Sequence, residues 1–476
     1  MPAPGPKPRP PAPEGPFLVV GLARSGAAIA TVLAERGERV IGTDSGHPDQ
    51  ARRLVEAGVE VHLDGPGTDL LPAVSTVVKS PGVPNEAPVV AAARSAGVEV
   101  VGELELAWRL LPNRFIGVTG TNGKTTVAEW IGHIYAGAEL PVAVAGNVGS
   151  PLSGLVGSVD PDATVVAEAS SFQLEDATEF APECGVFLNI SQDHLDRHGS
   201  MESYLDAKLR IFARQDADDF AVARAGDATD ILAWEERDFD ATLITYCSRA
   251  EREGCAMSAE GGELRWHGKH LVDVADLPLA GPHNVENAMA AGAAALSLGV
   301  DTDAVASGLR SFAGVPHRLE RVGNAGGVTY VNDSKATNPS ASAAAIESFE
   351  APVRVILGGS LKGGGFSDLV EPVAAHCVAC YLIGEAAARI ESDLAGPLEE
   401  GSATVPLRNA GSLPEAVRAA TEEADAGDVV LLAPACASFD AYRDFEERGD
   451  HFRELVGAAA AHASSAGSPE VRESPG

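Results

Sequence analysis

Positive charge is scarce in this sequence. Its 476 residues include 35 lysines and arginines against 68 aspartates and glutamates, which gives a formal net charge of −33. A chain this acidic repels phosphate backbones and anionic lipid surfaces, so neither nucleic acid nor an anionic membrane is expected as a partner. An anionic small-molecule substrate must instead be held by local cations, metal ions or backbone amides.

Lysine is the rarest of the charged residue types, with 7 residues against 28 arginines. Arginine replaces lysine poorly where a compact ammonium or a reactive amine is required. Four of the seven lysines lie in Gly-rich or otherwise motif-like stretches, at Lys124, Lys208, Lys335 and Lys362. These four positions are therefore candidates for function.

Long hydrophobic runs are missing as well. No apolar run approaches the roughly 20 residues that cross a bilayer. The first residues, "MPAPGPKPRPPAPEGP", are rich in proline and lack the apolar core of a signal peptide. We expect a cytoplasmic, monomeric protein with disordered tails at residues 1–16 and 464–476.

Cysteine is sparse and scattered, with six residues in the whole chain. Cys377 and Cys380 form a lone CxxC inside the apolar run "CVACYLIG", without a second pair to complete a zinc site. Burial in a strand or helix is the favoured interpretation, and no disulfide framework is expected.

The length predicts two to four domains, and the pattern favours three α/β domains. We expect a Rossmann-like domain over residues 17–102, a central P-loop ATPase-like α/β domain over 103–314, and a C-terminal Rossmann-like α/β domain over 315–463. The first opens with a strand, a Gly turn, a helix and a second strand that ends at Asp44. Ala23 occupies the place of the second glycine of the dinucleotide fingerprint, so a nucleotide-sugar site, a nicotinamide site and plain packing remain open.

The stretch "IGVTGTNGKTTVAEW", residues 116–130, resembles a phosphate-binding loop with altered spacing. Val118 occupies the position of the usual first glycine, which predicts a tighter loop of a distinct class of nucleotide enzymes. Backbone amides and the N-terminus of the following helix would bind phosphate, Lys124 would reach the β- and γ-phosphates, and Thr125 would bind Mg²⁺. The alternative is a flexible Gly turn with a solvated lysine.

Two further segments of the central region carry candidate ligands. Glu168 ends one predicted strand, and Asp193, His194 and Asp196 follow another, where they are suited to metal binding or acid–base work. The alternative is a solvated loop. In the helix that follows, Tyr204, Lys208 and Ile211 share a face, and spacing alone favours a lysine that extends along apolar neighbours.

The C-terminal region places polar residues after several predicted strands, where open α/β sheets bind ligands. The sequence here reads "GVTYVNDSKATNPSAS", "LGGSLKGGGFSD" and "LLAPACASFDAYRDFEERG". The candidate residues at these strand ends are Asp333, Lys335, Thr337, Lys362, Ser438, Phe439 and Phe445.

Taken together, seven motifs resemble those of the Mur ligases, over about residues 17 to 460. They are GTNGKT (120–125), ASSFQLE (169–175), DHLDRHG (193–199), GPHNVENA (281–288), HRLE (317–320), NDSKATNP (332–339) and PACASFDAYRDFEERG (434–449). NDSKATNP and the PACAS stretch favour the branch that adds D-glutamate. For that branch, the resemblance implies that ATP phosphorylates the carboxylate of UDP-N-acetylmuramoyl-L-alanine, and that D-glutamate attacks the acyl phosphate during peptidoglycan precursor synthesis.

The resemblance also implies roles for individual residues. Catalysis is assigned to Lys124, His194 and Lys208, and two Mg²⁺ ions to Thr125, Glu168, His194 and Lys208, with Lys208 carboxylated on Nζ by CO₂. ATP is assigned to Gly120, Thr121, Asn122, Gly123, Lys124, Thr125, Thr126, Asn284, Asn287, Arg318, Asp333 and Lys335. The UDP-sugar is assigned to Arg24, Ser25, Asp44, Ser45, Ser80 and Asn147, with Ser170 and Gln173 also in the substrate-binding set. D-glutamate is assigned to Thr337, Lys362, Ser438, Phe439 and Phe445.

Two other functions are compatible with parts of the pattern. Folylpolyglutamate synthase shares the loop and the lysine chemistry, but it lacks a Rossmann-like domain ahead of the loop. A nucleotide-binding regulator without catalysis would not need Glu168, His194, Lys208 and Asp333. One departure from the family affects the uridine side, where Gly46 replaces a residue that is basic in some relatives.

Overall fold

The computed structural model describes residues 5–147, 150–230, 237, 239–247, 254–279, 281–361, 365–400 and 405–466. Three β-sheets flanked by helices confirm the predicted α/β fold. The chain divides into two compact units, one formed by residues 1–277 and 286–312, the other by residues 278–285 and 313–476. The first unit holds two of the sheets and the second unit holds the third.

The first sheet has five parallel strands in the order β3-β2-β1-β4-β5. Its strands are β1 (Phe17–Val20), β2 (Val40–Asp44), β3 (Glu60–Leu63), β4 (Thr76–Lys79) and β5 (Glu99–Gly102). Its helices are α1 (Arg24–Glu35), α2 (Ala51–Glu56), α3 (Pro88–Ser95) and α4 (Glu103–Leu110). Chain order reverses on either side of β1, so the ends of β1, β2 and β4 form the crevice where such sheets bind ligands.

The second sheet has nine strands in the order β14-β13-β12-β11-β10-β9-β6-β8-β7. They are β6 (Arg114–Thr119), β7 (Val142–Gly146), β8 (Thr164–Glu168), β9 (Cys184–Phe187), β10 (Phe220–Arg224), β11 (Thr242–Cys247), β12 (Met257–Glu260), β13 (Glu263–Trp266) and β14 (Lys269–Asp273). The accompanying helices are α5 (Lys124–Gly137), α6 (Ser171–Glu175), α7 (Leu195–His198), α8 (Met201–Leu209), α9 (Ala225–Asp230), α10 (Pro282–Ser297) and α11 (Thr302–Ser311). Strands β6 to β12 pair in parallel and are mostly buried, which positions their carboxyl ends along one edge.

The third sheet has six strands in the order β15-β16-β20-β17-β18-β19. They are β15 (Glu320–Ala325), β16 (Val328–Asn332), β17 (Val353–Gly358), β18 (Cys377–Ile383), β19 (Leu407–Gly411) and β20 (Val429–Leu432). Its helices are α12 (Pro339–Ile346), α13 (Val370–His376), α14 (Ala387–Glu400), α15 (Leu413–Glu423) and α16 (Phe445–Ala466). All pairs are parallel except β15 with β16, and Cys377 and Cys380 are buried in β18, as predicted.

Three sequence-based expectations need correction. Residues 5–16 are not a disordered tail, because Lys7 and Arg9 form ion pairs with buried carboxylates of the second sheet. At the other end, α16 continues to Ala466, and residues 467–476 lie outside the described part of the chain. Cys247 and Cys255 form a disulfide, although the scattered cysteines predicted none.

The stretch from residue 216 to 273 is also more regular than its sequence suggested. Strands β12, β13 and β14 form an antiparallel meander at one edge of the second sheet. Their short lengths and charged residues hide the alternation that marks a strand. Within the described residues, no helix is both long and apolar enough to span a bilayer.

Candidate active site

The Gly-rich loop joins β6 to α5 in a strand–turn–helix arrangement. Gly120 has a φ of +155° and Gly123 a φ of +83°, in the region that favours glycine. A Cβ atom on Gly120 would lie 2.9 Å from Cβ of Leu188, and one on Gly123 would lie 2.5 Å from Oδ1 of Asn287. The loop is therefore tight, and these two glycines are required by close neighbours as well as by backbone conformation.

An asparagine that the sequence reading missed holds this loop in place. Asn189 follows β9, the neighbour of β6, and its side-chain Oδ1 accepts a hydrogen bond from the backbone N–H of Asn122 at 2.9 Å. Its Nδ2 donates to the carbonyl oxygen of Asn122 at 3.2 Å, and its own carbonyl accepts from the N–H of Thr121 at 3.0 Å. An asparagine directly after a predicted strand, in "LNIS", was visible in the sequence, but no local pattern showed which loop Asn189 would contact.

Two lysines converge on the same loop carbonyl. Nζ of Lys124 donates to the carbonyl oxygens of Gly120 at 2.9 Å and Thr121 at 2.8 Å. Nζ of Lys208 donates to the carbonyl oxygen of Gly120 at 2.7 Å, and only 1% of Lys208 is exposed. Spacing alone favours a lysine that extends along apolar neighbours, and the resemblance to the Mur ligases argues against it. The structure agrees with the resemblance, because α8 buries Lys208 against the loop.

The environment of Lys208 favours its neutral form. Burial lowers its pKa well below the usual lysine value, and the nearby charge of Lys124 lowers it further, while Asp193 acts in the opposite direction. Its ammonium lies 4.6 Å from the ring centre of Tyr204, whose hydroxyl is 3.2 Å from Oγ1 of Thr121. A lysine with a lowered pKa has more free amine at neutral pH, which is the form that reacts with electrophiles.

A buried carboxylate lies beside the start of α5. Oε2 of Glu168, at the end of β8, accepts a hydrogen bond from Oγ1 of Thr125 at 2.7 Å. Its Oε1 accepts from Nδ2 of Asn147 at 3.1 Å, and Glu168 is only 3% exposed. Three of the predicted residues thus share one hydrogen-bonded cluster, with Glu168 at the end of β8, Asn147 directly after β7 and Thr125 in the first turn of α5.

His194 occupies a constrained position at the N-terminus of α7, which the sequence reading had taken as loop. Its φ is +52°, in the left-handed region, and its ring centre lies 4.8 Å from that of Phe172. Phe172 also stacks on His198 at 5.3 Å and lies under the guanidinium of Arg197 at 4.1 Å. Asp193 is 3.5 Å from His194 Nε2, and the side chain of Asp196 lies outside the described part of the structure.

Two residues of the predicted substrate set have a structural role at α6. Oγ of Ser170 accepts from the N–H of Gln173, and Oε1 of Gln173 accepts from the N–H of Ser170 at 2.9 Å. This reciprocal pair is a capping box that satisfies two backbone donors at the helix start. Gln173 is buried and Ser170 half-buried, so their binding role stays a prediction.

The predicted uridine-side residues cluster at the carboxyl ends of the first sheet. Asp44 ends β2, and its carboxylate accepts from the N–H of Leu22 at 2.7 Å and from that of Gly46 at 2.8 Å. Oγ of Ser80, after β4, donates to the carbonyl of Gly21 at 2.6 Å. The other members begin α1 or follow Asp44, with Arg24 and Ser45 exposed and Ser25 half-buried.

In the second unit, Asp333 follows β16 and is nearly buried. Its Oδ1 accepts from the N–H of Leu319 at 3.2 Å. Burial raises the pKa of Asp333 to about 6, although the charges of Arg318 and Lys335 act to lower it. Nζ of Lys335 lies 5.1 Å from the ring centre of Phe445. Four predicted residues therefore surround one strand end.

A buried arginine that the sequence reading missed joins two of the strand-end loops. Arg448, 1% exposed, donates from Nε to Oγ of Ser334 at 2.9 Å and from Nη2 to the carbonyl of Ser334 at 2.8 Å. It also donates to the carbonyls of Cys436 at 3.1 Å and Ala437 at 3.2 Å. Burial lowers its pKa to about 10. Arg448, near the start of α16, thereby links the NDSKATNP and PACAS stretches.

The remaining predicted residues belong to the proposed D-glutamate and ATP sets. Ser438, beside Ala437, is 2% exposed, whereas Phe439 is 70% exposed. Thr337 follows Lys335, to whose carbonyl its N–H donates at 2.8 Å, and Lys362 lies outside the described residues. Asn284 and Asn287 lie near the start of α10, the former in the second unit and the latter in the first, and both are buried. Thr126 is buried in α5.

Comparisons with known proteins agree over most of the chain. Family models match residues 16–102 (Mur ligase MurD-like, N-terminal domain), 118–295 (Mur ligase middle domain) and 317–436 (Mur ligase, glutamate ligase domain). A UDP-N-acetylmuramoylalanine–D-glutamate ligase of Pelotomaculum thermopropionicum is 42% identical over 452 residues, covering 92% of this chain and 96% of the relative. The enzyme of the same name from Solibacter usitatus is 42% identical over 439 residues, covering 92% and 97%.

Solved structures share the fold. The UDP-N-acetylmuramate–alanine ligase of Thermotoga maritima superposes with a TM-score of 0.59 at 19% identity, covering 94% of this chain and 100% of the other. The MurF ligase of the same organism, in complex with ADP, gives a TM-score of 0.57 at 18% identity, covering 89% and 96%. At such low identity these likenesses concern the fold alone, whereas the sequence relatives and the three matched domains establish the family. This chain belongs to the Mur ligases.

Proposed function

We propose that this chain is an ATP-dependent amide ligase that joins D-glutamate to UDP-N-acetylmuramoyl-L-alanine in peptidoglycan precursor synthesis. The relatives that carry this activity in their names are 42% identical over 92% of the chain. The structural observation that carries the proposal is the convergence of Lys124 and Lys208 on the Gly120 carbonyl of the Gly-rich loop, beside the buried Glu168 that accepts from Thr125. Cytoplasmic location, a monomeric state and domain boundaries near residues 102 and 314 belong to the same proposal.

The proposed reaction has two steps. The substrate carboxylate attacks the γ-phosphorus of ATP, and the bond to the bridging oxygen breaks. ADP departs with that bonding electron pair, and the substrate becomes an acyl phosphate. The amine of D-glutamate then attacks the carbonyl carbon, phosphate leaves with the bonding electron pair, and the nitrogen loses a proton to give the amide. Lys124 would stabilise negative charge on the transferred phosphoryl group, where preorganised cations contribute most.

The loop fits the role of an ATP phosphate site. Its backbone is fixed by Asn189, which accepts from the N–H groups of Thr121 and Asn122, and by the two positive-φ glycines. The N–H groups that follow, at the N-terminus of α5, are therefore preorganised for phosphate. Asn287, next to Gly123, and Thr126, in the first turn of α5, complete the part in the first unit. From the second unit, Asn284, Arg318, Asp333 and Lys335 are the proposed ATP residues.

The donor set fits Mg²⁺. The carboxylate of Glu168 and the hydroxyl of Thr125 are hard oxygen ligands, both almost fully buried and already in contact. His194 and a carboxylated Lys208 are the further proposed ligands. When bound, Mg²⁺ would offset the charge of the phosphates. The protein's own part is to hold these side chains rigid and to exclude water from the acyl phosphate.

The surroundings of Lys208 support its carboxylation. The free amine would attack the carbon of CO₂, form an N–C bond, and release one proton to give the carbamate. Burial and the Lys124 charge lower the pKa of Lys208, which raises the fraction of reactive amine. Carboxylation would also replace a buried ammonium with an anion beside Lys124, so the two groups would attract rather than repel.

The two other substrates would bind at separate sheet edges. For the UDP-sugar, the exposed Arg24 and the N-terminus of α1 offer positive charge, while Asp44 and Ser80 shape the loop between them. Ser25, Ser45, Asn147, Ser170 and Gln173 complete the proposed set. For D-glutamate, the proposed residues are Thr337, Lys362, Ser438, Phe439 and Phe445. Arg448 hydrogen-bonds to Ser334 and Cys436 and so joins the NDSKATNP and PACAS stretches.

Release of phosphate from ATP tests the proposal when each substrate is omitted in turn. Turnover should require both UDP-N-acetylmuramoyl-L-alanine and D-glutamate, and L-glutamate, D-aspartate and glycine serve as matched amino acids. Turnover with a folate substrate in place of the UDP-sugar would favour the folylpolyglutamate alternative, against which the MurD-like match at residues 16–102 already argues. Nucleotide binding without turnover under any combination would favour a regulator.

A further inference from the structure

The first described residues form an extended arm that crosses from one sheet to another. This arm, residues 5–15, precedes the first residue of the family match at residue 16. Prolines at positions 8 and 10 fix φ and remove backbone donors, so the segment favours an extended chain over a helix. Lys7 and Arg9, two residues apart, direct their side chains to one acidic site.

The acidic site lies at the amino-terminal edge of the second sheet. Glu183 precedes β9 and Asp219 precedes β10, and neither side chain is exposed to solvent. Lys7 Nζ forms an ion pair with Asp219 and lies 2.7 Å from Oδ2 of Asp216, while its backbone N–H donates to Oε1 of Glu183 at 2.9 Å. Nη1 of Arg9 is 3.2 Å from the same Glu183 oxygen. Two cations of the arm therefore face two buried carboxylates.

Arg9 also connects the arm to the linker between the first two sheets. Its guanidinium lies 4.6 Å from the ring centre of Trp108 in α4 and 5.4 Å from that of Phe115 in β6. It donates to the carbonyl of Asn113, and its side chain is only 6% exposed. Such a desolvated cation over two rings adds to the charge pairing with Glu183.

The other end of the arm contacts the first sheet. The carbonyl of Pro11 accepts from Nη1 of Arg109 at 3.3 Å, and the carbonyl of Glu14 accepts from Oγ1 of Thr76 at 2.8 Å. The carbonyl of Pro16, directly after the arm, accepts from the N–H of Ser75 at 2.8 Å. One short segment thus bonds to the start of β4, to α4 and to the amino edge of the second sheet.

We propose that the arm is an interdomain strap, which holds the first sheet and α4 against the central sheet by docking its two cations into the acidic site of Glu183 and Asp219. The strap acts at the amino-terminal edges of both sheets. The candidate substrate and ATP residues of these sheets lie at the opposite, carboxyl-terminal edges. The strap therefore restrains the domains without contacting the reacting groups.

The strap's contribution should depend on pH. Burial raises the pKa of Asp219 to about 6, while Lys7 lowers it and the neighbouring Asp216 raises it. The other charged groups at this site are Glu183 and Arg9. Without Lys7, the pKa of Asp219 would rise further, and the charged form would cost more. The stability lost on removing the cations is therefore small below pH 5 and grows as pH rises through 6.

The experiment compares full-length Lys7→Met/Arg9→Met with a control that makes the same change in net charge at exposed sites, Arg52→Met/Arg418→Met. We expect the strap variant to lose about 5 °C of Tm at pH 8 and clearly less at pH 5, because buried carboxylates lose their partners. Amide hydrogen exchange in residues 103–115 should rise about tenfold or more at pH 8. The control should match the parent in both measurements.

A second comparison separates ion pairing from loss of bulk. Glu183→Gln should lower Tm less in the Arg9→Met background than in the parent, because the pair is already broken. The proposal is overturned if the strap variant matches the control in Tm at both pH values, or if exchange in residues 103–115 stays at the parent level. The same holds if the loss in Tm does not grow with pH. If Glu183→Gln fails to fold, the comparison of the two double variants decides alone.

Discussion

Replacing Lys208 separates the chemistry of its amine from its contribution to packing. We expect Lys208→Ala and Lys208→Met both to lose ligation, with kcat reduced at least a hundredfold. The reason is that neither side chain can form the carbamate or donate a hydrogen bond to the carbonyl of Gly120, as Nζ does at 2.7 Å. Loss of one preorganised electrostatic group commonly reduces kcat by about 10²–10³-fold.

The effects on stability should differ between the two variants. Lys208 is 1% exposed, so alanine removes three buried methylenes, about 2.4 kcal/mol at roughly 0.8 kcal/mol for each, and leaves a cavity. This loss is offset in part because an ammonium with a lowered pKa is no longer buried. Methionine keeps most of the volume without the charge, so Lys208→Met should be at least as stable as the parent at neutral pH.

The assay measures phosphate release with saturating substrates, with and without added formate or acetate. The cavity of Lys208→Ala can admit a small carboxylate in the place of the carbamate, so activity should recover in part. Lys208→Met has no such space and serves as the matched control without recovery. Activity of Lys208→Met within tenfold of the parent, or equal recovery of the two variants, would refute the carbamate role.

Three further substitutions test the proposed ATP and D-glutamate sites. Lys124→Ala should abolish ligation, because it removes the cation beside the transferred phosphoryl group, and near-normal ATP turnover would contradict the phosphate-loop assignment. Lys362→Ala should raise the KM for D-glutamate about ten- to a hundredfold with little change in ATP binding, since a charge-assisted hydrogen bond contributes roughly 1.5–3 kcal/mol. A loss confined to ATP affinity would exclude Lys362 from the D-glutamate site. The pKa of Asp333 is raised to about 6, so this carboxyl costs the folded state stability as pH rises from about 4 through 6. Asp333→Asn should remove about 2–3 kcal/mol of that pH dependence in denaturant unfolding between pH 4 and 8, and an unchanged dependence would contradict the raised pKa.

The sequence alone predicts the parts of the fold that depend on local pattern. Buried parallel strands such as β8 and β17 are continuous apolar runs in the sequence. The turn before Lys124 is indicated as a phosphate loop by residues that are adjacent in the chain. The resemblance to the Mur ligases supplied the roles that no local pattern could. For Lys208, the resemblance implied a metal ligand, whereas spacing alone favoured a lysine that extends along apolar neighbours. The burial of Lys208 agrees with the resemblance.

Contacts between distant parts of the chain were not predictable from pattern. Lys208 meets Gly120 across 88 residues, Asn189 meets Asn122 across 67, and Lys7 meets Asp219 across 212. The proline-rich start has the composition of a disordered tail, and its order is explained by distant partners, the buried carboxylates and the first sheet. In the sequence, Arg448 is one charge among several in "YRDFEERG", although its buried side chain bonds to two loops.

Phosphate release from ATP, measured with one substrate omitted at a time, tests the central claim most directly. The account predicts release only when UDP-N-acetylmuramoyl-L-alanine and D-glutamate are both present, with one amide formed for each phosphate. Release that proceeds equally well without D-glutamate, or with the UDP-sugar replaced by a different acceptor, would contradict it.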